Sequence, residues 1–388
     1  MVLAAAVGGM AFPILPVYAL KFGVSLPVIG MVLAANRIGR IAATPVVGVI
    51  VDRIGARQTL VAGQALQALA MLMYMLGIAT SHPVACFLIG RLVHGVASAS
   101  VFVSAQIFAV RASTAQFGGL VRAAMAAGIP LGLVSGGILS DQFGAMAVFA
   151  GAAIATLAGL GGALAMPRAL PSGLKPVAAH TAVLLSWGNS RLAAIGVMSF
   201  AASFAAHGVV MTTLGLLIEA HQISLAKLGT EGTSGVLMGW MVVLIAAGSP
   251  LAGRLGDRLQ RHDGIATVGM LAAVPALIAI GISSSFAGMG IGMSLLGLSA
   301  AALGPSLLAL VEQTTPASHQ GKAVGFVQLC GDVGGLLGPV IGTLLATSDA
   351  GAPYLASAAL MLLSLPAALY LMRKHEPDLA IAATRGAR

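Results

Sequence analysis

Long apolar runs broken by short polar clusters set the pattern of this chain. A membrane-spanning helix needs about 20 mostly apolar residues. Walked along the sequence, that length predicts twelve helices: 2–21, 27–51, 58–80, 84–109, 118–140, 145–165, 191–218, 234–254, 264–283, 286–311, 322–346 and 353–372. The longest interval without such a run follows helix 6 and carries Pro171, Ser172, Gly173, Lys175, Pro176 and His180. It lies at mid-chain, where a linker between halves belongs. The expected organisation is therefore an N-terminal six-helix bundle over 1–166, a linker over 167–190, a C-terminal bundle over 191–373 and a tail over 374–388. The fold class is all-α, a polytopic membrane protein with twelve transmembrane helices in two pseudo-symmetric bundles.

An internal repeat supports the division into halves. Pro45 to Arg53 and Pro250 to Arg258 both read Pro-x-x-Gly-x-x-x-Asp-Arg, 205 residues apart. Each copy is an apolar helix end that stops in a charged turn, and repetition at half length is a signature of duplicated transporter folds.

Composition narrows the class. Hydrophobic residues make up 58% of the chain and charged ones 8%, against roughly 25% charged in soluble domains. A soluble protein of this length has no place to bury that much apolar surface, whereas a bilayer removes the need. The net charge of +9 does not imply nucleic acid, because the charges sit in short clusters with no basic face of interleaved aromatics. Arg53, Arg57, Arg111, Arg168, Lys175, Arg191, Arg254, Arg258, Arg261, Lys322, Arg373, Lys374, Arg385 and Arg388 all fall on one side of the predicted helices, and only Lys21 and Lys227 on the other. The positive-inside rule then places both termini in the cytoplasm, and the expected location is the cell inner membrane. The first twenty residues lack a charged n-region and a polar cleavage site, so they read as a spanning helix and not as a signal peptide. Cys86 and Cys330 lie far apart inside apolar runs and read as small buried side chains.

Ionisable groups at membrane depth are costly and are functional candidates by default. They are Arg37 and Arg40 on helix 2, Arg91 and His94 on helix 4, His207 on helix 7 and Asp332 on helix 11. Asp332 is the lone carboxylate expected well inside a helix. A desolvated carboxyl holds its proton and one beside an arginine releases it, so an acid that passes between such settings can couple proton movement to a conformational change. Arg37 and Arg40 read as pairs at the interface of the halves or as substrate ligands; if they face the cavity, three arginines against one aspartate favour an anion. Asn36, Gln106 and Gln328 are further candidates for the substrate path, along with His94 and His207.

Two sets of residues are candidates for movement. Gly48, Asp52, Arg53, Gly55 and Arg57, with the echo Gly253, Asp257 and Arg258, form charged turns at the cytoplasmic surface. Asp52 leaves the membrane where the N-terminus of helix 11 should lie, and a helix N-terminus attracts a carboxylate. A latch that holds the halves together on the inside is the expectation. Gly128, Pro130, Gly132 and Gly136 on helix 5, and Gly338 with Pro339 on helix 11, are small or bent positions that permit close helix approach.

At these residues the chain resembles the major facilitator superfamily, and within it the twelve-helix drug:proton antiporters. Gly48-x-x-x-Asp52-Arg53-x-Gly55-x-Arg57 resembles the family's loop 2–3 signature. Arg91-x-x-His94-Gly95 is similar to a helix 4 signature with His in place of Gln. The run from Gly128 to Gly137 is similar to the antiporter signature of helix 5, in a different Gly-Pro order. The resemblance implies proton-coupled efflux by antiport, with Arg91 taking part in proton transfer.

The expected function is secondary active transport of a small organic molecule by alternating access, with protons as coupling ion and the protein a monomer in the bilayer. Uptake or facilitated diffusion of a metabolite or organic anion is the alternative in the same class, and a non-transporting receptor or scaffold the alternative in another. The chain is not expected to be an enzyme. It has no Gly-x-x-x-x-Gly-Lys-Ser/Thr loop and no His-Glu-x-x-His or Cys-x-x-Cys motif, so no ATP drive, cofactor or metal is expected.

Overall fold

Seventeen prolines and fifty-one glycines in an apolar chain produce long helices that bend and approach one another closely. A computed structural model describes residues 1–80, 82–110, 115–166, 189–316 and 319–386. The helices are α1 (Val2–Lys21), α2 (Leu26–Ile54), α3 (Ala56–Ala79), α4 (Pro83–Val110), α5 (Ala115–Ala165), α6 (Ser190–Ser203), α7 (Met211–His221), α8 (Thr230–Leu259), α9 (His262–Ile282), α10 (Phe286–Thr314), α11 (Gln320–Leu345) and α12 (Ala352–Gly386). A π-helical segment, Phe204–Val210, joins α6 to α7. No strand occurs among the described residues.

Ten of these stretches are long and apolar enough to cross a bilayer, and α1 is a shorter apolar helix. α5 is two crossings in one, since Gly144 inside it has φ 80° and breaks the helical path. α6, the π segment and α7 together make one crossing. The described chain thus crosses twelve times, as the apolar runs predict, and both described ends lie on one face. That face, which also carries the α2–α3 and α8–α9 turns, is called the termini face here; the opposite one is the far face.

Several boundaries differ from the sequence expectation. Helices 5 and 6 are separated by a bend at one glycine and not by a loop. Helix 7 is interrupted by the π segment, a widened turn that apolar periodicity does not reveal. Helix 8 begins at Thr230 and not at 234, so Glu231 belongs to its first turn. α12 continues to Gly386, past the expected end at 372. Residues 167–188 of the expected linker lie outside the described residues.

Within each half the packing follows the glycines. Gly128, Gly132 and Gly136 of α5 meet the α1 backbone at Val2, Ala6 and Met10, where an added Cβ would overlap main-chain atoms. In the other half Gly334 and Gly338 of α11 meet Phe200, Phe204 and Gly208 in the same way. Equivalent helices of the two halves therefore use equivalent small residues.

Between the halves α2 packs on α11 and α5 on α8. The contacts cluster toward the far face. Gly30 lies against the Pro339 carbonyl and Thr343, Gly137 against the Glu231 backbone, Gly235 against the Leu133 carbonyl and Gly215 against Val17. Toward the termini face the first of these pairs parts, leaving Thr44, Pro45 and Val46 of α2 and Val324, Gly325 and Gln328 of α11 exposed. The α2–α11 contact is thus tight toward the far face and exposed toward the termini face.

Candidate functional site

The middle of the α2–α11 contact carries charge. α11 offers Gly331, Gly334, Gly335 and Gly338, all buried, so its backbone presents a groove. A Cβ at Gly335 would stand 3.2 Å from Arg37 Cζ; hydrogen at that position lets the guanidinium lie on the helix. Arg37 Nη1 donates to Asp332 Oδ1 at 2.8 Å, and Arg40 Nη2 donates to the same oxygen. The three side chains are 17%, 28% and 12% exposed for Arg37, Arg40 and Asp332. This is an ion triad across the two halves at mid-depth, part-wet and not sealed. Two guanidiniums, each with several N–H donors, share one carboxylate oxygen.

His207 stands beside the triad. Every other residue of the π segment is buried, whereas His207 is exposed, and Arg37, Arg40 and Asp332 all lie within electrostatic reach of its ring. A π turn carries one residue more than an α turn, and such segments recur at functional sites. Gly208, next along, packs on Gly338 of α11, which pins the segment against the helix that holds Asp332.

Arg91 occupies a second, separate position, inside the N-terminal half. It is 1% exposed, its guanidinium lies over the Phe12 ring at 5.2 Å, and it faces the Tyr74 hydroxyl. Its Nε and Nη2 have no hydrogen-bond partner, and no carboxylate pairs with it among the described residues. His94 is 3% exposed and sits 3.4 Å from the same hydroxyl through Nδ1. The structure thus places His94 within the bundle, between Tyr74 and α1, and not on an open path. Asn36 is half-buried on α2, with its carbonyl against Gly95 of α4. Gln328 is exposed on α11, one turn before Asp332. The side chain of Gln106 lies outside the described residues.

The charged turns of the termini face are disengaged. Gly55 has φ 90°, a left-handed backbone suited to glycine, and reverses the chain between α2 and α3 in a single residue. Asp52 and Arg53 are exposed, and Asp52 makes no ion pair among the described residues. Arg57 donates to the Leu164 carbonyl, tying α3 to the end of α5 within the same half. In the echo, Asp257 meets His262 Nε2 at 3.1 Å, Arg258 is exposed, and a Cβ built at Gly253 would stand 3.8 Å from Pro305. Gly48 has open space around it. Pro130 of α5 reaches across the halves, its carbonyl 3.3 Å from a Cβ built at Gly239.

Sequence reasoning missed a far-face cluster. Lys21 Nζ and Glu231 Oε1 are 2.9 Å apart, joining α1 to α8 across the halves. Asp141 Oδ2 accepts from the Gly232 N–H at 2.9 Å, joining α5 to α8. Glu231 was expected in a loop, and only its place one residue into α8 brings it to the interface. Glu231 and Asp263, both in helical first turns, are buried as well, at 6% and 3% exposed, while Asp332 lies well inside α11.

Two helical bundles that touch on one face, part on the other and share charge at mid-depth define a multi-pass membrane transporter, not an enzyme. The family model described as Major Facilitator Superfamily matches residues 1–230 and again 195–387. The chain belongs to that superfamily. It is 24% identical over 358 residues to the Multi-drug resistance efflux pump PmrA homolog of Lactococcus lactis subsp. lactis (strain IL1403), covering 87% of this chain and 84% of the relative. It is 30% identical over 169 residues to Multidrug resistance protein 1 of Bacillus subtilis (strain 168), a match that spans 42% of each. Among solved structures, a mutant of the nucleoside transporter NupG superposes with a TM-score of 0.81 at 13% identity, over 95% of this chain and 97% of that one.

Proposed function

We propose that the chain is a proton-linked secondary transporter of the inner membrane that exports a small organic molecule by alternating access. The observation that carries this reading is the triad of Arg37, Arg40 and Asp332. It joins the halves near the middle of α2 and α11, where the seam must break and re-form if access alternates. Asp332 can take a proton; once neutral, it loses its hold on both arginines. Proton occupancy and the relative position of the halves are then one equilibrium. Arg91 is the second participant, a buried cation whose charge reaches Arg37.

The open termini side and the closed far side correspond to access from the cytoplasm, on the reading that the Lys and Arg asymmetry puts both termini inside. The free Asp52 fits that state: the latch would close only when the site faces out. Gln328, one turn from Asp332 toward the cytoplasmic end of α11, lies on the way to the triad, while Asn36 and His207 stand at the depth of the triad itself. Export is the direction favoured by the two relatives named for multidrug resistance.

The test is transport by everted vesicles with and without an uncoupler. Cargo flux that changes when the uncoupler is added supports proton linkage, and loss of that dependence in Asp332→Asn supports the assignment to Asp332. Equilibration that ignores the uncoupler would replace this reading with facilitated diffusion.

A further inference from the structure

We propose that the cargo is a small organic anion, a carboxylate or comparable oxyanion, that takes Arg37 and Arg40 from Asp332, and that the proton on Asp332 crosses the membrane with it. The inference rests on the proton linkage proposed above and adds the charge of the cargo; because the proton travels with it, the inward proton gradient of the cell opposes efflux, and export would run down the cargo's own gradient.

The charge count comes first. Among the described residues at membrane depth there are three arginines, Arg37, Arg40 and Arg91, and one carboxylate, Asp332, which pairs with the first two only. With neutral histidines, two positive charges remain unbalanced in a medium where an isolated charge is costly. A cationic cargo would add to that imbalance, and an anion relieves it.

The donors are also arranged for an oxyanion. Both guanidiniums reach the same oxygen, Asp332 Oδ1, so most of their N–H groups stay free of that carboxylate. The side chains keep 17% and 28% exposure for Arg37 and Arg40, so neither guanidinium is sealed by its neighbours. Arg37 lies on the Gly335 backbone, which fixes the plane of its fork, and such forks match carboxylate and related groups in two parallel bonds. Arg91 adds positive potential from inside the N-terminal half, with two of its nitrogens unpartnered.

The proton follows from competition. Ionised Asp332 and an incoming oxyanion need the same N–H groups and repel each other. A proton on Asp332 removes both obstacles, so proton and anion favour each other's binding. Loads that bind together move together. The antiport implied by family resemblance requires the opposite, a cargo that displaces the proton. The groups facing Asp332 are Arg37 and Arg40 from α2 and His207 from the π segment, with Arg91 further off; of these His207 is the one other candidate for a pH effect.

The first experiment uses the full wild-type chain in detergent and matched aryl compounds of one, two and three fused rings, each as sulfonate, sulfonamide and methylammonium. The sulfonate of at least one ring size is expected to raise the unfolding midpoint, while its neutral and cationic partners leave it unchanged. Equal or greater effects from the neutral or cationic members, or no effect from any sulfonate, overturn the assignment. For the sulfonate that binds, affinity is expected to rise by up to about tenfold per unit fall in pH, the slope of one linked proton. Asp332→Asn should abolish the slope and His207→Gln should keep it; a slope that follows His207 overturns the role of Asp332.

The second experiment needs no variant. A gradient of that sulfonate is imposed across proteoliposomes holding a trapped pH dye, with protein-free vesicles as control. A sulfonate stays ionised, so a proton that moves with it is carried by the protein. Acidification of the side that receives the sulfonate is expected. Alkalinisation of that side overturns the inference and leaves proton-linked transport standing; carriage with no proton movement overturns both.

Discussion

Gly335 and Arg37 meet across the two halves of the molecule, so closely that a Cβ on the glycine would stand 3.2 Å from both Cζ and Nε of the guanidinium. The contact sets where Arg37 can lie, and so whether it reaches Asp332. Gly335→Val places two methyl groups in that space. Overpacking of this kind costs about 1–3 kcal/mol, and here it falls on the seam between the halves. Transport should drop several-fold with little loss of expression, read by flux and by membrane abundance in parallel.

Asp332→Asn leaves two arginines facing each other with no carboxylate. Removing one partner of a buried ionic group is destabilising, so the unfolding midpoint in detergent should fall. The double variant Arg40→Gln with Asp332→Asn should regain much of the midpoint while transport stays insensitive to a proton gradient. A double variant as unstable as the single one would remove charge imbalance as the cause.

Asp52→Asn alters an exposed side chain without an ion pair among the described residues. Surface changes of this kind stay within about 0.5 kcal/mol, so the unfolding midpoint should not move. If the turn closes as a latch in the other state, transport should nonetheless fall clearly. Unchanged flux would reduce the motif to a surface anchor.

Gly137→Leu puts a side chain against the Glu231 backbone on the far side. The far face should then stay apart. A cysteine introduced at Leu133, which is fully buried at this seam, should become reactive to an impermeant thiol reagent in the Gly137→Leu background and stay protected otherwise, in a chain with Cys86 and Cys330 replaced by serine.

Gly132→Val meets a different fate, since the Ala6 carbonyl stands where its Cβ would be. The overlap is with backbone inside one bundle, which cannot yield as a side chain can. Loss of folded protein is expected, seen as absence from the membrane fraction.

The sequence made the crossings legible because a bilayer imposes one length and one polarity on every span. It also exposed Arg37, Arg40, Arg91, His207 and Asp332, since a charge inside an apolar run has few structural reasons to be there. It did not pair Arg37 and Arg40 with Asp332, because residues nearly 300 positions apart meet only through the packing of α2 on α11. The π segment left no mark in periodicity. Lys21, Asp141 and Glu231 looked like ordinary loop charges, and their meeting depends on a helix start a few residues earlier than apolarity alone indicates. His94 matched a motif position, yet Tyr74 draws it into the bundle interior, a contact between helices that spacing does not encode.

The duplication that relates the halves makes the α2–α11 and α5–α8 contacts images of one another, but at mid-depth only the first carries ions, while the second holds its charge at the far face in Asp141 and Glu231. Shifting by 205 residues, Arg37 and Arg40 correspond to Val242 and Ile245, and Asp332 to Ala127. At mid-depth one contact is thus fastened by electrostatics and its twin by apolar packing, with Asp141 and Glu231 at the rim of the second. Acidity, salt and membrane voltage can act on the first deep within the seam and on the second only at its far-face rim, so the two bundles should swing like a door whose bolt sits halfway down a single edge.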